Sequence, residues 1–179
     1  MNSSTINNTS NKFQNATPDG GSHTSTDVWI TPQWIIDAIG VSDLDPCGWL
    51  PSGVPIVKTA INYFTEERDG LIQDWSAYRS VFVNFPYSKS YEWMTKCAAE
   101  SKRGCEIIVL CFVRSETKAW QHNVKSATGI NLMNKRVKFL DSEGVEHGNG
   151  NCPSCLIAWG ADAFQRIQKI DGIYLRINT

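Results

Sequence analysis

Asn84-Phe85-Pro86-Tyr87 sets an amide, a bulky ring, a proline and a phenol in consecutive positions, with Ser88 next. An amide presents one acceptor oxygen and two donor hydrogens. Proline fixes φ and removes a competing N–H, and tyrosine offers a flat face to a planar ring. Such a shelf can grip the amino group of a planar heterocycle. The same residues also suit a strand-to-helix turn with a packed aromatic, and from the tetrapeptide alone both readings stand.

Other polar residues stand where strands are expected to end: Asp45, Glu66 or Glu67, and Arg114. From the residues alone, surface solvation is the better account of the glutamates. Six cysteines (47, 97, 105, 111, 152, 155) accompany no secretion signal, so they read as reduced thiols, several packed as small hydrophobes. Cys152-Pro153-Ser154-Cys155 has zinc-like spacing. Only His147 and distant cysteines are on offer as further ligands, so no metal is expected.

The elements that must position these residues are legible in outline. Thr31-Pro32 predicts a helix start, with Thr as cap and Pro in the first turn, then Ile35, Ile36 and Ile39 on one face and Gly40 as a left-handed stop. Strands are expected at 41–45, 63–65, 80–84, 106–113, 136–140, 155–159 and 172–177. A helix is expected over 89–103 with Tyr91, Met94 and Ala98 inward. Strands alternating with helices predict a mostly parallel sheet with helices on both faces, and ligands collect at the carboxyl ends of such strands. Little helix is foreseen between the last three strands, so they should close the sheet antiparallel.

The chain has 179 residues, 41% hydrophobic and 20% charged, enough for one domain and too few for two full-sized ones. Residues 1–26 are mostly Asn, Ser, Thr and Gly and read as a disordered polar tail, with the domain over 27–179. No apolar run is long enough to span a bilayer, and a cytoplasmic location is expected. Net charge is -1, but residues 89–138 hold ten Lys or Arg against four Glu and leave the remainder acidic. A polyanion is met by such a segment as readily as solvent is.

In order along the chain, Thr31-Pro32-Gln33-Trp34, Asp43-Leu44-Asp45-Pro46-Cys47, Tyr63-Phe64-Thr65, Asp69-Gly70-Leu71 with Trp75, Asn84 to Tyr87, Arg114 to Thr117 with Trp120, Arg136 to Phe139, and Pro153-Ser154 resemble the phage-type DNA N6-adenine methyltransferases related to Dam. The likeness covers about residues 28–160. It implies a Rossmann-like methyltransferase fold dependent on S-adenosylmethionine, and a phage or prophage setting. It further implies Thr31, Pro32 and Trp34 over the methionine part of that cofactor. Asp45, with Pro46 and Cys47, would meet the amino group, Glu66 or Glu67 the ribose diol, and Asp69 and Leu71 the adenine. In catalysis the Asn84 oxygen and the Phe85 carbonyl would accept the two N6 hydrogens of a flipped adenine, with Pro86 stiffening the shelf and Tyr87 stacking on the base.

Phe85 departs from the proline usual in the family, putting bulk near the target base. Ser88, Lys89, Arg114, Lys118 and Lys125 would face DNA, with 115–135 as a candidate DNA-facing insertion, in a monomer or homodimer. Two alternatives differ in kind: methylation of an RNA base or a protein glutamine amide, and an impaired methyltransferase-like protein that binds DNA or a host protein.

Overall fold

The computed structural model describes residues 29–146 and 152–178. These hold seven strands, β1 (Ser42–Asp45), β2 (Ala60–Tyr63), β3 (Ser80–Val83), β4 (Glu106–Phe112), β5 (Gly129–Met133), β6 (Ser154–Trp159) and β7 (Gly172–Arg176). The α-helices among them are α1 (Gln33–Ile39), α2 (Ser90–Ser101), α3 (Lys118–Asn123) and α4 (Ala161–Ile167).

One sheet contains every strand, in the order β2-β1-β3-β4-β6-β5-β7. The β2–β1, β1–β3 and β3–β4 ladders are parallel, whereas β4–β6, β6–β5 and β5–β7 are antiparallel. The expected antiparallel C-terminal strands are present. They make up half the ladders, so the sheet is less parallel than expected. The arrangement is a mixed α/β layer structure compatible with a methyltransferase fold.

Period-two alternation explains the layers. Val81, Val83, Ile107, Val109 and Cys111 pack with Trp93, Met94, Cys97, Ala119 and Trp120, which puts α2 and α3 on one face. Phe82, Ile108, Leu110 and Phe112 pack with Ile35, Ile36, Ile39, Phe164 and Ile167, which puts α1 and α4 on the other. A strand buried on both faces has no polar side, which is why β4 reads as a continuous apolar run. Each such side chain contributes roughly 1.5–3 kcal/mol by leaving water.

Several expectations need correction. Thr31 does not cap α1: Pro32 sits at the cap position with no side-chain bond, and the Thr31 hydroxyl is used elsewhere. Gly40 does end the helix, at φ 83°. The second strand is Ala60–Tyr63 rather than 63–65. Tyr91 points outward because α2 begins at Ser90 and turns Trp93, Met94 and Cys97 inward. The 136–140 segment is not a strand. Val137 and Phe139 are buried and Leu140 makes only isolated bridges, to Ile30 and Glu146, while the strand is β5. Asn131 disguised β5, since its amide is spent on the Ile167 and Ile170 carbonyls at the end of α4, at 2.8 and 2.6 Å. Between β6 and β7 stands α4, where little helix was expected. The stretch 115–135 contains α3 and β5, both integral to the layers.

Arg166 ties the layers together. From α4 it reaches the Ile39 carbonyl (2.7 Å), the Gly40 carbonyl (2.8 Å) and Ser42 Oγ (3.0 Å), satisfying free carbonyls at the end of α1. Burial lowers its pKa from the ordinary arginine value.

Candidate active site

Because β1, β2, β3 and β4 are parallel, their carboxyl ends share one edge, and the loops that follow them meet there. Asp45 closes β1, Asn84 directly follows β3, and Glu66 lies three residues beyond β2. A cavity of about 700 Å³ opens between these loops, in the range of small-molecule sites. Its walls include Thr31, Asp45, Pro46, Cys47, Glu66, Asp69, Leu71, Asn84, Pro86, Ser88 and Lys89, most of the residues foreseen. Of the two glutamates, Glu66 faces it and Glu67 does not.

Asn84 is held by its nitrogen. Nδ2 donates to the Trp29 carbonyl and to Thr31 Oγ1 (3.2 Å). A carbonyl can only accept, so the amide's orientation is settled. Oδ1 is left buried with no hydrogen-bond partner. An unmet buried acceptor costs about 1–3 kcal/mol until a donor reaches it.

Asp45 is the buried acid of the cavity. Its carboxylate accepts from Thr59 Oγ1 (2.6 Å) and the Cys47 backbone N–H (3.1 Å). Burial outweighs those bonds and pushes its pKa up to about 6. Cys47 stays a neutral thiol, pushed up by burial and then by the Asp45 charge.

The opposite wall is built on a close approach. A Cβ on Gly70 would come within 2.0 Å of the Pro46 carbonyl oxygen, so only glycine lets the loop after β2 meet the loop after β1. Trp75 Nε1 donates to the Gly70 carbonyl (2.9 Å), and Asp69, at φ 42°, accepts the Leu71 N–H on Oδ1 (3.1 Å).

Other foreseen residues lie apart from the cavity. The Tyr87 ring stacks on Phe112, centroids 4.4 Å apart and 7° from parallel, and meets the edge of Phe85. A face expected to hold a base is thus engaged with the protein, and burial raises the phenol's pKa. Phe85 points into the α2-side core, 3% exposed, rather than crowding a target base. Its ring anchors the shelf by burial where a proline would anchor it by ring closure. Pro32 does not line the cavity, and Trp34 lies under the Lys135 ammonium at 4.0 Å. Arg114 and Lys118 are exposed beyond the carboxyl end of β4, with Arg114 Nη2 3.8 Å from Cys152 Sγ. Lys125 is exposed at the other edge of the sheet, just ahead of β5, where its carbonyl accepts from Asn178. His147 lies outside the described residues, among which no cluster of metal ligands occurs.

Sequence reasoning missed Trp93, Thr59 and Trp29. Trp93 lines the cavity at 4% exposure, and its buried indole N–H has no partner. On a helix face its spacing reads as core, and nothing in the sequence marks it otherwise.

The model of the Dam DNA N-6-adenine-methyltransferase family matches residues 21–170. The chain belongs to this family. That family is defined by N6 methylation of adenine in DNA. No curated protein matches the chain. Among the described residues of this Dam-family protein, no helix is long and apolar enough to cross a membrane.

Proposed function

We propose that this Dam-family chain transfers the methyl group of S-adenosylmethionine to the N6 amino group of adenine in DNA, with the adenine turned out of the helix. The observation that carries the reading is the Asn84 amide: its nitrogen is tied down, and its buried oxygen is left without a partner on a residue that lines the cavity.

The cavity's donor set suits the cofactor. Asp45 is a buried carboxylate fit for a cationic amino group, Glu66 a carboxylate fit for a diol, and the Asp69–Leu71 turn a wall for a purine. When bound, S-adenosylmethionine supplies an electrophilic methyl on a sulfonium. The remaining difficulty is that adenine N6 is a poor nucleophile, with its lone pair delocalised into the ring. Asn84 Oδ1 accepts one N6 hydrogen and the Phe85 carbonyl the other, which bends the nitrogen toward tetrahedral geometry and frees the pair. The chain's contribution is position and fixed dipoles. With Tyr87 stacked on Phe112, the exposed Trp49 on the cavity rim is the better planar surface for an extruded base. Lys89, exposed at the same cavity, faces phosphates.

The test is tritium transfer from labelled S-adenosylmethionine to unmethylated DNA, RNA and protein side by side. Label in DNA, recovered as N6-methyladenine, is the expected result. Label confined to RNA or protein refutes the substrate, and cofactor binding without any transfer refutes the activity.

A further inference from the structure

The far edge of the sheet is unusually bare. Strand β7 lies beside β5 alone, with nothing on its other side among the described residues. Its even-numbered side chains are engaged on the α4 face. The Tyr174 hydroxyl donates to the Gln168 and Ile170 carbonyls, and the Arg176 guanidinium lies 5.0 Å from the Phe164 ring centroid. Its odd-numbered side chains stand beside Ile130 and Leu132 on the α2–α3 face, and helices do not reach them: Ile173 is 64% exposed and Leu175 46%. Exposed edge strands are ordinarily blunted by proline, a bulge or outward charge. Between Gly172 and Ile177 there is no proline, and the single charge is turned onto Phe164.

Ladder parity fixes which backbone groups are free. Ile177 N–H donates to the Thr128 carbonyl and Asn134 N–H to the Asp171 carbonyl, so the odd residues 173 and 175 spend their N–H and C=O on β5. Gly172, Tyr174 and Arg176 therefore point theirs outward. We propose that β7 is a homodimer interface, pairing antiparallel with β7 of a second copy about a two-fold axis at Tyr174.

The strand is complementary to itself in that register. Tyr174 faces Tyr174 of the second copy and Gly172 faces Arg176, so every outward donor and acceptor of β7 finds a partner. Ile173 then stands opposite Leu175 of the second copy on the uncovered face, an apolar pair at each end of the axis. Arg176 lies opposite a glycine, which avoids like charges. The two-fold axis of an antiparallel pair stands perpendicular to the sheet. The two cavities therefore open at opposite edges of the joined sheet, and association leaves turnover per chain unchanged. The proposal does not depend on the catalytic reading.

The test is sedimentation equilibrium of the full chain. Mass should rise with concentration to twice that of the chain. Ile173→Lys and Leu175→Lys, both at exposed positions, should weaken association at least tenfold, while circular dichroism and the melting temperature at concentrations too low for association hold. Mild oxidation of the Ile173→Cys/Leu175→Cys double variant should give disulfide-linked dimers that neither single variant gives. A monomer at every concentration, or dimers indifferent to both lysines, overturns the proposal. Cross-linking through Leu175→Cys alone moves the register by two residues and overturns the axis at Tyr174.

Discussion

Thr31 Oγ1 accepts a 3.2 Å hydrogen bond from Asn84 Nδ2, joining residues on two separate segments of the chain at the wall of the cavity. The hydroxyl read in the sequence as a helix cap is an orienting partner for the shelf amide. With the Trp29 carbonyl it turns the acceptor oxygen of Asn84 away from internal partners.

That arrangement separates chemistry from binding. Asn84→Ala should lower methyl transfer by about a hundredfold or more, the scale of losing one fixed polar group aimed at reacting atoms. The dissociation constant for S-adenosylmethionine should move less than threefold. Thr31→Val removes one of two restraints and should cost roughly tenfold in kcat. Single-turnover rates beside calorimetry check both, and parallel collapse of rate and affinity in Asn84→Ala would make the residue structural.

Asp45 predicts a pH dependence of definite sign. A cationic amino group needs the ionised carboxylate, and burial holds that carboxyl at about 6. Affinity for S-adenosylmethionine should be flat above pH 7 and fall toward tenfold per pH unit below 6. For stability the sign is opposite. A folded-state value above the ordinary 3.8 favours the folded protein below pH 4, and that benefit is lost as pH rises through 6, an effect of about 3 kcal/mol. Asp45→Asn can keep both the Thr59 and the Cys47 contacts. It should raise the melting temperature of the ligand-free protein at pH 7.5, leave it unchanged at pH 4, and abolish the pH dependence of binding. Melting curves and calorimetry at both pH values decide it.

Trp93 stacks on Trp75, ring centroids 6.4 Å apart, with its N–H unmet. Trp93→Phe keeps an aromatic in the stack and deletes an orphaned donor, so the ligand-free melting temperature should hold or rise. Affinity for S-adenosylmethionine or for target DNA should fall roughly tenfold, the worth of one hydrogen bond made only to ligand. Unchanged affinity for both would leave Trp93 as packing.

Lys89 and Lys125 should part company on DNA. Lys89 borders the cavity, whereas Lys125 sits at the opposite edge of the sheet. Lys89→Ala should weaken binding and reduce the slope of log K against log salt by about one, through loss of one phosphate contact. Lys125→Ala should change neither. Fluorescence anisotropy across a salt series measures both slopes.

Local chemistry determined what the sequence could show by itself. Apolar runs such as 106–113 and 80–84 announced buried strands. Asp45 and Asn84 stood out as polar residues where apolar strand runs end, and parallel order then sent both to one edge. The ordered run of motifs from Thr31 to Ser154 pointed to the Dam family. Tertiary structure alone decided the rest, because a side chain's partners are distant in sequence. Whether Tyr87 faces a ligand or Phe112, whether Thr31 caps a helix or holds Asn84, and whether Asn131 breaks a strand or seals α4 depend on which segments pack together. Local composition is the same in each case. Gly70 shows the limit most plainly: it is required because the Pro46 carbonyl, 24 positions earlier in the chain, occupies the space where a Cβ would stand.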